Sequence, residues 1–244
     1  MMAQTSAELL KLRSTRTTAG LLLATIGLVV LFALLTGLIS KIPALTGVAN
    51  QRGLLGVGGL AGVLGALAGA LLLTGEFRFG TIRPTLLFTP QRSRVIGAKY
   101  LAGLLAGLVF GAIGEALSLG IGAAILSQRG VPFALSGAQL TLLILGTLAG
   151  CALFGVIGVG LGAIVRNQVA AVVGLLAWVF IVDSLLFGLV PSVGRYMPTQ
   201  AADALSGSSS AHALSAVAGG AVLVAWTAGL AAAGLVLVAR RDVE

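Results

Sequence analysis

Long apolar stretches alternate with short polar connections along this chain. Six stretches exceed the ~18 residues usually needed to span a bilayer as a helix, and they are almost free of charge. They lie at residues 19–39, 53–74, 98–126, 137–164, 169–190 and 213–239. None shows the sustained period-two alternation of a membrane β-strand. The pattern therefore predicts an all-α integral membrane protein, with six transmembrane helices in a single domain.

Composition excludes the soluble classes of protein. The chain has 244 residues, of which 58% are hydrophobic and 9% are charged, and its mean hydropathy is +1.10. A soluble domain carries about 25% charged residues. A soluble enzyme, a disordered chain and a secreted disulfide scaffold are therefore excluded. The net charge of +8 then indicates loop topology in a membrane protein rather than a nucleic-acid partner.

The distribution of basic residues predicts the orientation. If the N-terminus lies inside, eleven of the 15 Lys and Arg residues fall in inner segments and four in outer segments. The inner set is Lys11, Arg13, Arg16, Arg78, Arg83, Arg92, Arg94, Lys99, Arg166, Arg240 and Arg241, and the outer set is Lys41, Arg52, Arg129 and Arg195. We therefore expect a multi-pass protein of the cell (plasma) membrane with both termini in the cytoplasm. The first stretch is long for the core of a signal peptide and is interpreted as a retained anchor.

The N-terminal segment predicts a short amphipathic helix in the inner interface. Ser6 is the expected N-cap, and Leu9 and Leu12 share one face. We expect Lys11, Arg13 and Arg16 to reach lipid headgroups from this segment. A frayed basic terminus is the alternative.

The connection between the second and third stretches is longer than a tight helix–helix turn requires. A helix is predicted at residues 82–88, where Thr81 can cap the start and Pro84 is tolerated in the first turn. Thr89 precedes a proline and ends the helix. Its apolar residues exceed what a solvated loop needs, so it should dock on a protein partner or on lipid.

The last outer loop, the single histidine and the single cysteine predict no catalytic or metal site. A short helix is predicted from Thr199 to Leu205 in the last outer loop, where it dips toward the bundle. His212 has no Cys, Asp or Glu beside it, so no metal site is predicted. Cys151 is the single cysteine of the chain and has no internal disulfide partner.

Two acidic residues lie inside the apolar stretches, Glu115 and Asp183. A carboxyl group in hydrocarbon is costly and is a functional-site candidate by default. Glu115 lies on a stripe of small residues and should face the other helices. This stripe consists of Gly107, Gly111, Gly114, Ser118 and Gly122. Both residues are candidates for a substrate path. For Glu115 the alternative is an interhelical hydrogen bond. For Asp183 the bulky neighbours favour a structural role or a position at the outer interface.

Motifs for catalysis are absent from the sequence. There is no phosphate loop of the Gly-x-x-x-x-Gly-Lys-Ser/Thr type, no His-Glu-x-x-His and no Gly-x-Ser-x-Gly. The chain is therefore not expected to be an enzyme or to hold ATP itself.

A sequence pattern follows the second stretch. The run GEFRFGTIR at residues 75–83, followed by Leu86, Leu87, Pro90, Arg92 and Lys99, resembles the cytoplasmic coupling segment of the type-2 ABC exporter permease family. The run ELLKLRSTR at residues 8–16, the Tyr-Met-Pro run at 196–198 and the Arg-Arg-Asp end at 240–242 are also similar to that family. The layout of six spans agrees as well.

The resemblance implies a permease that dimerises, as a homo- or heterodimer, and binds two cytoplasmic ABC ATPase subunits. Those subunits would bind ATP and Mg, and the permease would export a drug, antibiotic, lipid or similar substrate. Residues 82–88 would be the coupling helix, and the residues implied in coupling are Glu76, Gly80, Thr81, Ile82, Arg83, Leu86 and Leu87. The alternative is an autonomous secondary carrier or channel that uses Glu115 and Asp183. The chain shows no obvious inverted half-repeat, which weakens that alternative.

Overall fold

In the computed structural model of the protein, the described residues are 2–81, 92–207 and 212–240. Within them the secondary structure is entirely helical. The α-helices are α1 Met2–Ser14, α2 Arg16–Ile39, α3 Ile42–Leu45, α4 Val48–Leu55, α5 Ala61–Arg78, α6 Arg92–Gln128, α7 Gly137–Val165, α8 Gln168–Ala177, α9 Asp183–Leu189, α10 Pro191–Gly194, α11 Pro198–Leu205 and α12 Ala216–Arg240. A 3₁₀ turn, Gly56–Leu60, joins α4 to α5, and a π-helical segment, Trp178–Val182, joins α8 to α9.

The predicted all-α architecture with six spans is confirmed. Six helical stretches are long and apolar enough to cross a membrane. Spans 1, 3, 4 and 6 are α2, α6, α7 and α12, span 2 is Val48–Arg78, and span 5 is Gln168–Leu189. The start of span 1 and the end of span 6 lie at one end of the bundle, here called the terminal end. The other end is called the distal end.

Spans 2 and 4 form the centre of the bundle. In their most apolar stretches 67% of the residues are buried, against 22% in spans 1, 5 and 6. Glycines allow this close packing: a Cβ at Gly155 of span 4 would collide with the Gly103 carbonyl oxygen of span 3, and one at Gly69 of span 2 would collide with the Gly155 carbonyl oxygen. Without a hydrophobic driving force between helices in lipid, such backbone contact is a main source of association.

The distal loops are held by hydrogen bonds from two polar side chains, Gln51 and Arg129. Gln51 is fully buried and donates from Nε2 to the carbonyl oxygens of Leu45 and Pro132, at 2.9 and 2.8 Å, while its Oε1 accepts from the Ala134 amide. The Arg129 guanidinium donates to two carbonyl oxygens at the end of span 1. These bonds satisfy backbone groups that would otherwise be orphaned at helix ends.

Three local predictions have clear outcomes. The helix α1 exists but begins at Met2, so Ser6 lies inside it and the predicted N-cap was wrong; Met, Ala and Gln before Ser6 are good helix formers and extend the helix. The predicted distal helix is confirmed as α11, one residue longer, and Ala201 and Ala204 are buried against the bundle. The predicted coupling helix at residues 82–88 lies outside the described residues.

Candidate coupling site and the carboxyl groups inside the bundle

Span 2 ends at the terminal end in a glycine-dependent turn. Gly80 has a φ of 69°, a left-handed conformation that favours glycine. The Thr81 amide donates to the Glu76 carbonyl oxygen at 3.0 Å and the Gly80 amide donates to that of Phe77 at 3.4 Å. This pair of bonds is a Schellman motif, and it sets the direction in which the chain leaves span 2.

Glu76, whose carbonyl oxygen accepts in this motif, belongs through its side chain to a cluster of four charges, of which Lys11 is half-exposed and the other three are buried. Its Oε1 lies 2.8 Å from Lys99 Nζ of span 3 and 2.7 Å from Lys11 Nζ of α1. Glu8 of α1 completes the cluster, because its two oxygens each lie 2.9 Å from one of the same lysines. Lys99 is fully buried and donates also to the Leu72 carbonyl oxygen at 3.2 Å. The cluster therefore ties α1, span 2 and span 3 together with no net charge.

The predicted role of Lys11 was wrong. Instead of reaching headgroups, its ammonium pairs with Glu8 and Glu76, because Leu9 and Leu12 pack against the bundle and turn that side of α1 inward. Burial alone would lower the pKa of Lys11, but hydrogen bonds and charges from the two carboxylates outweigh burial and raise the pKa above its ordinary value.

Glu8 and Lys99 were missed as site residues. Lys99 was counted among the basic residues of the inner segments, although it lies at the start of the third predicted stretch and is fully buried. The available signal was the Glu-x-x-Lys spacing in α1, together with an acidic residue at the end of span 2 among basic neighbours. A spacing of three residues places both side chains on one helix face.

Of the residues that the resemblance implies in coupling, the structure describes Glu76, Gly80 and Thr81. Ile82, Arg83, Leu86 and Leu87 lie outside the described residues. A cavity of about 330 Å³ adjoins the charge cluster between α1, span 1 and span 2, and Lys11, Glu76 and Thr81 contribute to its lining.

Glu115 lies deep in the bundle where spans 2, 3 and 4 meet. Its side chain is 2% exposed and packs on Gly58, where a Cβ would collide with the Glu115 backbone and carboxyl group. The Thr147 hydroxyl lies beside it, yet neither carboxyl oxygen has a hydrogen bond of good geometry to another described residue. The orientation predicted from the small-residue stripe is confirmed: Gly107 and Gly111 meet Cys151, and Gly114 meets Ala61.

Asp183 holds the distal helix α11 against span 5. Its Oδ2 accepts from the Thr199 amide at 3.1 Å and from the Thr199 hydroxyl. Thr199 is the second residue of α11, so Asp183 satisfies an orphan amide at the start of that helix. Its Oδ1 lacks a hydrogen bond of good geometry to another described residue, although the Trp178 side chain lies beside the carboxyl group. The structure thus places Asp183 in a helix-end contact, and Glu115 in a separate helix junction.

A second cavity, of about 350 Å³, opens at the distal end between spans 1, 2, 4 and 5 and α11. Its lining includes the Thr199 that Asp183 binds and the Thr147 that lies beside Glu115. We call it the distal cavity. The cavity is thus lined by a neighbour of each interior carboxyl group, although Glu115 and Asp183 are not themselves part of the lining.

Comparison with known proteins adds no family assignment. No protein-family model matches the chain, and no curated protein matches it. The described residues contain no group of three or more His, Cys, Asp or Glu side chains that could hold a metal ion.

Proposed function

We propose that this protein is the membrane-spanning permease subunit of an ABC-type exporter. A separate cytoplasmic ATPase would bind ATP and Mg and drive outward movement of a drug, antibiotic, lipid or similar substrate. Two permease chains would assemble as a homo- or heterodimer. Each chain would be a multi-pass protein of the plasma membrane with both termini in the cytoplasm.

The observation that carries the proposal is the arrangement at the end of span 2. The family-like run at residues 75–83 is tied to its neighbours at the end of span 2, here called the joint. Gly80 and Thr81 form the helix stop, and Glu76 pairs with both Lys11 and Lys99. A coupling helix needs such an attachment, because a loosely attached segment would move without displacing the spans.

This joint suits the transmission of movement. A displacement of the segment after Thr81 acts on span 2 through the Schellman turn, and on α1 and span 3 through Glu76. Span 2 meets span 4 at backbone contacts such as Gly69 with Gly155. Closely packed helices are bistable rather than continuously deformable, so a small shift at the joint would reposition whole helices.

Site-specific photo-crosslinking tests the proposal. A photoreactive amino acid at Leu86 should capture a cytoplasmic protein that contains a phosphate loop, and the same probe at Phe133, in a distal loop, should not. In the purified complex, Leu86→Asp should reduce ATPase association at least tenfold, whereas Phe133→Asp should leave it unchanged. Capture of lipid alone at Leu86, or equal association in both variants, would reject the coupling role.

A second candidate function is supported by the unpartnered carboxyl oxygens of Glu115. A buried group of this kind is typical of proton or cation carriers. Proteoliposomes that contain this chain alone separate the two functions. Uptake driven by a proton or ion gradient without ATP, and abolished in Glu115→Gln, would favour the carrier.

A further inference from the structure

We infer that the distal cavity binds a hydrophobic organic cation, with Asp203 as its counter-charge and Phe32 and Phe180 as its aromatic walls. The inference rests on the proposed export function, for which it names the substrate class. Asp203, Phe32 and Phe180 are distinct from the motif at residues 75–83 and from the interior residues Glu115 and Asp183.

The distal cavity is lined by one carboxyl group and by no basic side chain. Asp203 of α11 supplies the carboxyl group, and among the described residues of the lining there is no Lys, Arg or His. Asp203 forms no ion pair with another described residue. Arg52 lies nearby at the distal rim, against Gly207, but outside the lining. The cavity thus presents a carboxylate without a paired cation of the protein.

Aromatic rings form part of the wall of the distal cavity. Phe32 of span 1 and Phe180 of span 5 are exposed, at 44% and 56%, and both line the cavity, while Phe154 of span 4 is buried in its floor. Cations are attracted to the faces of aromatic rings, an interaction of about 0.5–2 kcal/mol per contact. Hydroxyl groups of Thr36, Thr147 and Ser206 supply further polar atoms in the lining.

Two more carboxyl groups, those of Glu115 and Asp183, lie near the lining. Both oxygens of Glu115 and Oδ1 of Asp183 have no hydrogen bond of good geometry to another described residue. Asp183 and Asp203 are near enough to interact electrostatically. Where ionised, these groups disfavour an anion and favour a cation. The volume of about 350 Å³ lies in the range of small-molecule sites, ~300–1,000 Å³.

A pair of probes of similar shape and opposite charge tests the inference. The purified full-length protein in lipid nanodiscs is titrated with tetraphenylphosphonium, and separately with tetraphenylborate, in equilibrium binding assays. We expect saturable binding of the phosphonium and only non-saturable partitioning of the borate. Equal saturable binding of both probes, or preference for the borate, would overturn the inference.

Two variants locate the binding. Asn has nearly the same shape as Asp, and position 203 is exposed, so Asp203→Asn should leave the fold intact. It should weaken phosphonium binding by about tenfold, because it removes the counter-charge. Phe180→Leu should weaken it by about three- to tenfold, and the matched change Phe133→Leu, outside the cavity, should have no effect. Unchanged binding in Asp203→Asn, with a native elution profile, would contradict the assignment.

The result is separable from the proposed function. Phosphonium binding without any captured ATPase would leave the cation site standing and reject the exporter assignment. ATPase association with an intact coupling segment, but no charge-selective binding, would leave the exporter assignment standing and reject the cation site.

Discussion

Lys99 is fully buried, and its ammonium lies within 2.9 Å of one oxygen each of Glu8 and Glu76. Moving such a charge from water into a protein interior costs several kcal/mol, and only close partners compensate that cost. Lys11 supplies the second cation, so the four charges balance. At the residue scale, the joint of α1, span 2 and span 3 therefore depends on matched charges rather than on apolar packing alone.

The substitution Lys99→Met should destabilise the protein by about 3–5 kcal/mol, since two buried carboxylates would then share the half-exposed Lys11. The free energy of unfolding in detergent micelles measures this change. Lys41→Met, at an exposed position of the distal end, is the matched control and should change stability by less than about 0.5 kcal/mol.

A triple variant separates charge balance from the packing of Lys99. Adding Glu8→Gln and Glu76→Gln to Lys99→Met removes the unpaired charges, so much of the lost stability should return. If Lys99→Met were as stable as Lys41→Met, the ion pairs would not contribute to the fold.

At the scale of elements, glycines set the distances between spans 2, 3 and 4. Gly155 meets Gly103 on one neighbouring helix and Gly69 on another, and Gly158 meets Ala66. Any larger residue at these points would push the helices apart. The same contacts place Glu115 and Cys151 in the shared core, so the position of the interior carboxyl group follows from the small residues around it.

The variant Gly155→Val should lower the free energy of unfolding by about 1–3 kcal/mol or more, as overpacking does in tight cores. Gly174→Val in span 5 is the control, because no atom lies within 4 Å of a Cβ built there. Thermal unfolding of both variants in the same detergent provides the comparison. Similar melting temperatures would show that the spans tolerate separation at Gly155.

Hydropathy predicted all six spans because the bilayer requires every spanning segment to be long, apolar and internally hydrogen-bonded. The small-residue stripe likewise predicted which side of span 3 faces its neighbours. The charge cluster was not predicted, because Glu76 and Lys99 lie 65 and 91 residues from their partners in α1. Nothing in a hydropathy profile pairs side chains across such separations.

The contact between Asp183 and Thr199 was missed for a related reason. The two residues are only 16 apart, yet one lies in a span and the other in the loop helix α11. Their contact depends on how α11 folds back toward span 5. The sequence predicted α11 itself, but not the carboxyl group that accepts from the amide of its second residue.

At the scale of the whole molecule, basic residues are concentrated at the terminal end. Eleven of the 15 basic residues belong to the segments assigned to that side, against four at the distal side. Lys11 and Lys99 are neutralised by Glu8 and Glu76, which leaves nine against four. The excess persists without the buried cluster, so the positive-inside rule still predicts that the terminal end faces the cytoplasm.

Cysteine labelling tests this orientation, on which the proposed docking of an ATPase depends. Cys151 is buried, so Cys151→Ser provides a background free of thiols. In that background, Thr46→Cys at the distal end should react with a membrane-impermeant maleimide in intact cells, and Ser14→Cys at the terminal end should react only after permeabilisation, since both positions are exposed. The reverse pattern would place residues 82–88 outside the cell. A cytoplasmic ATPase could not then reach them, and the exporter assignment would fail together with the orientation.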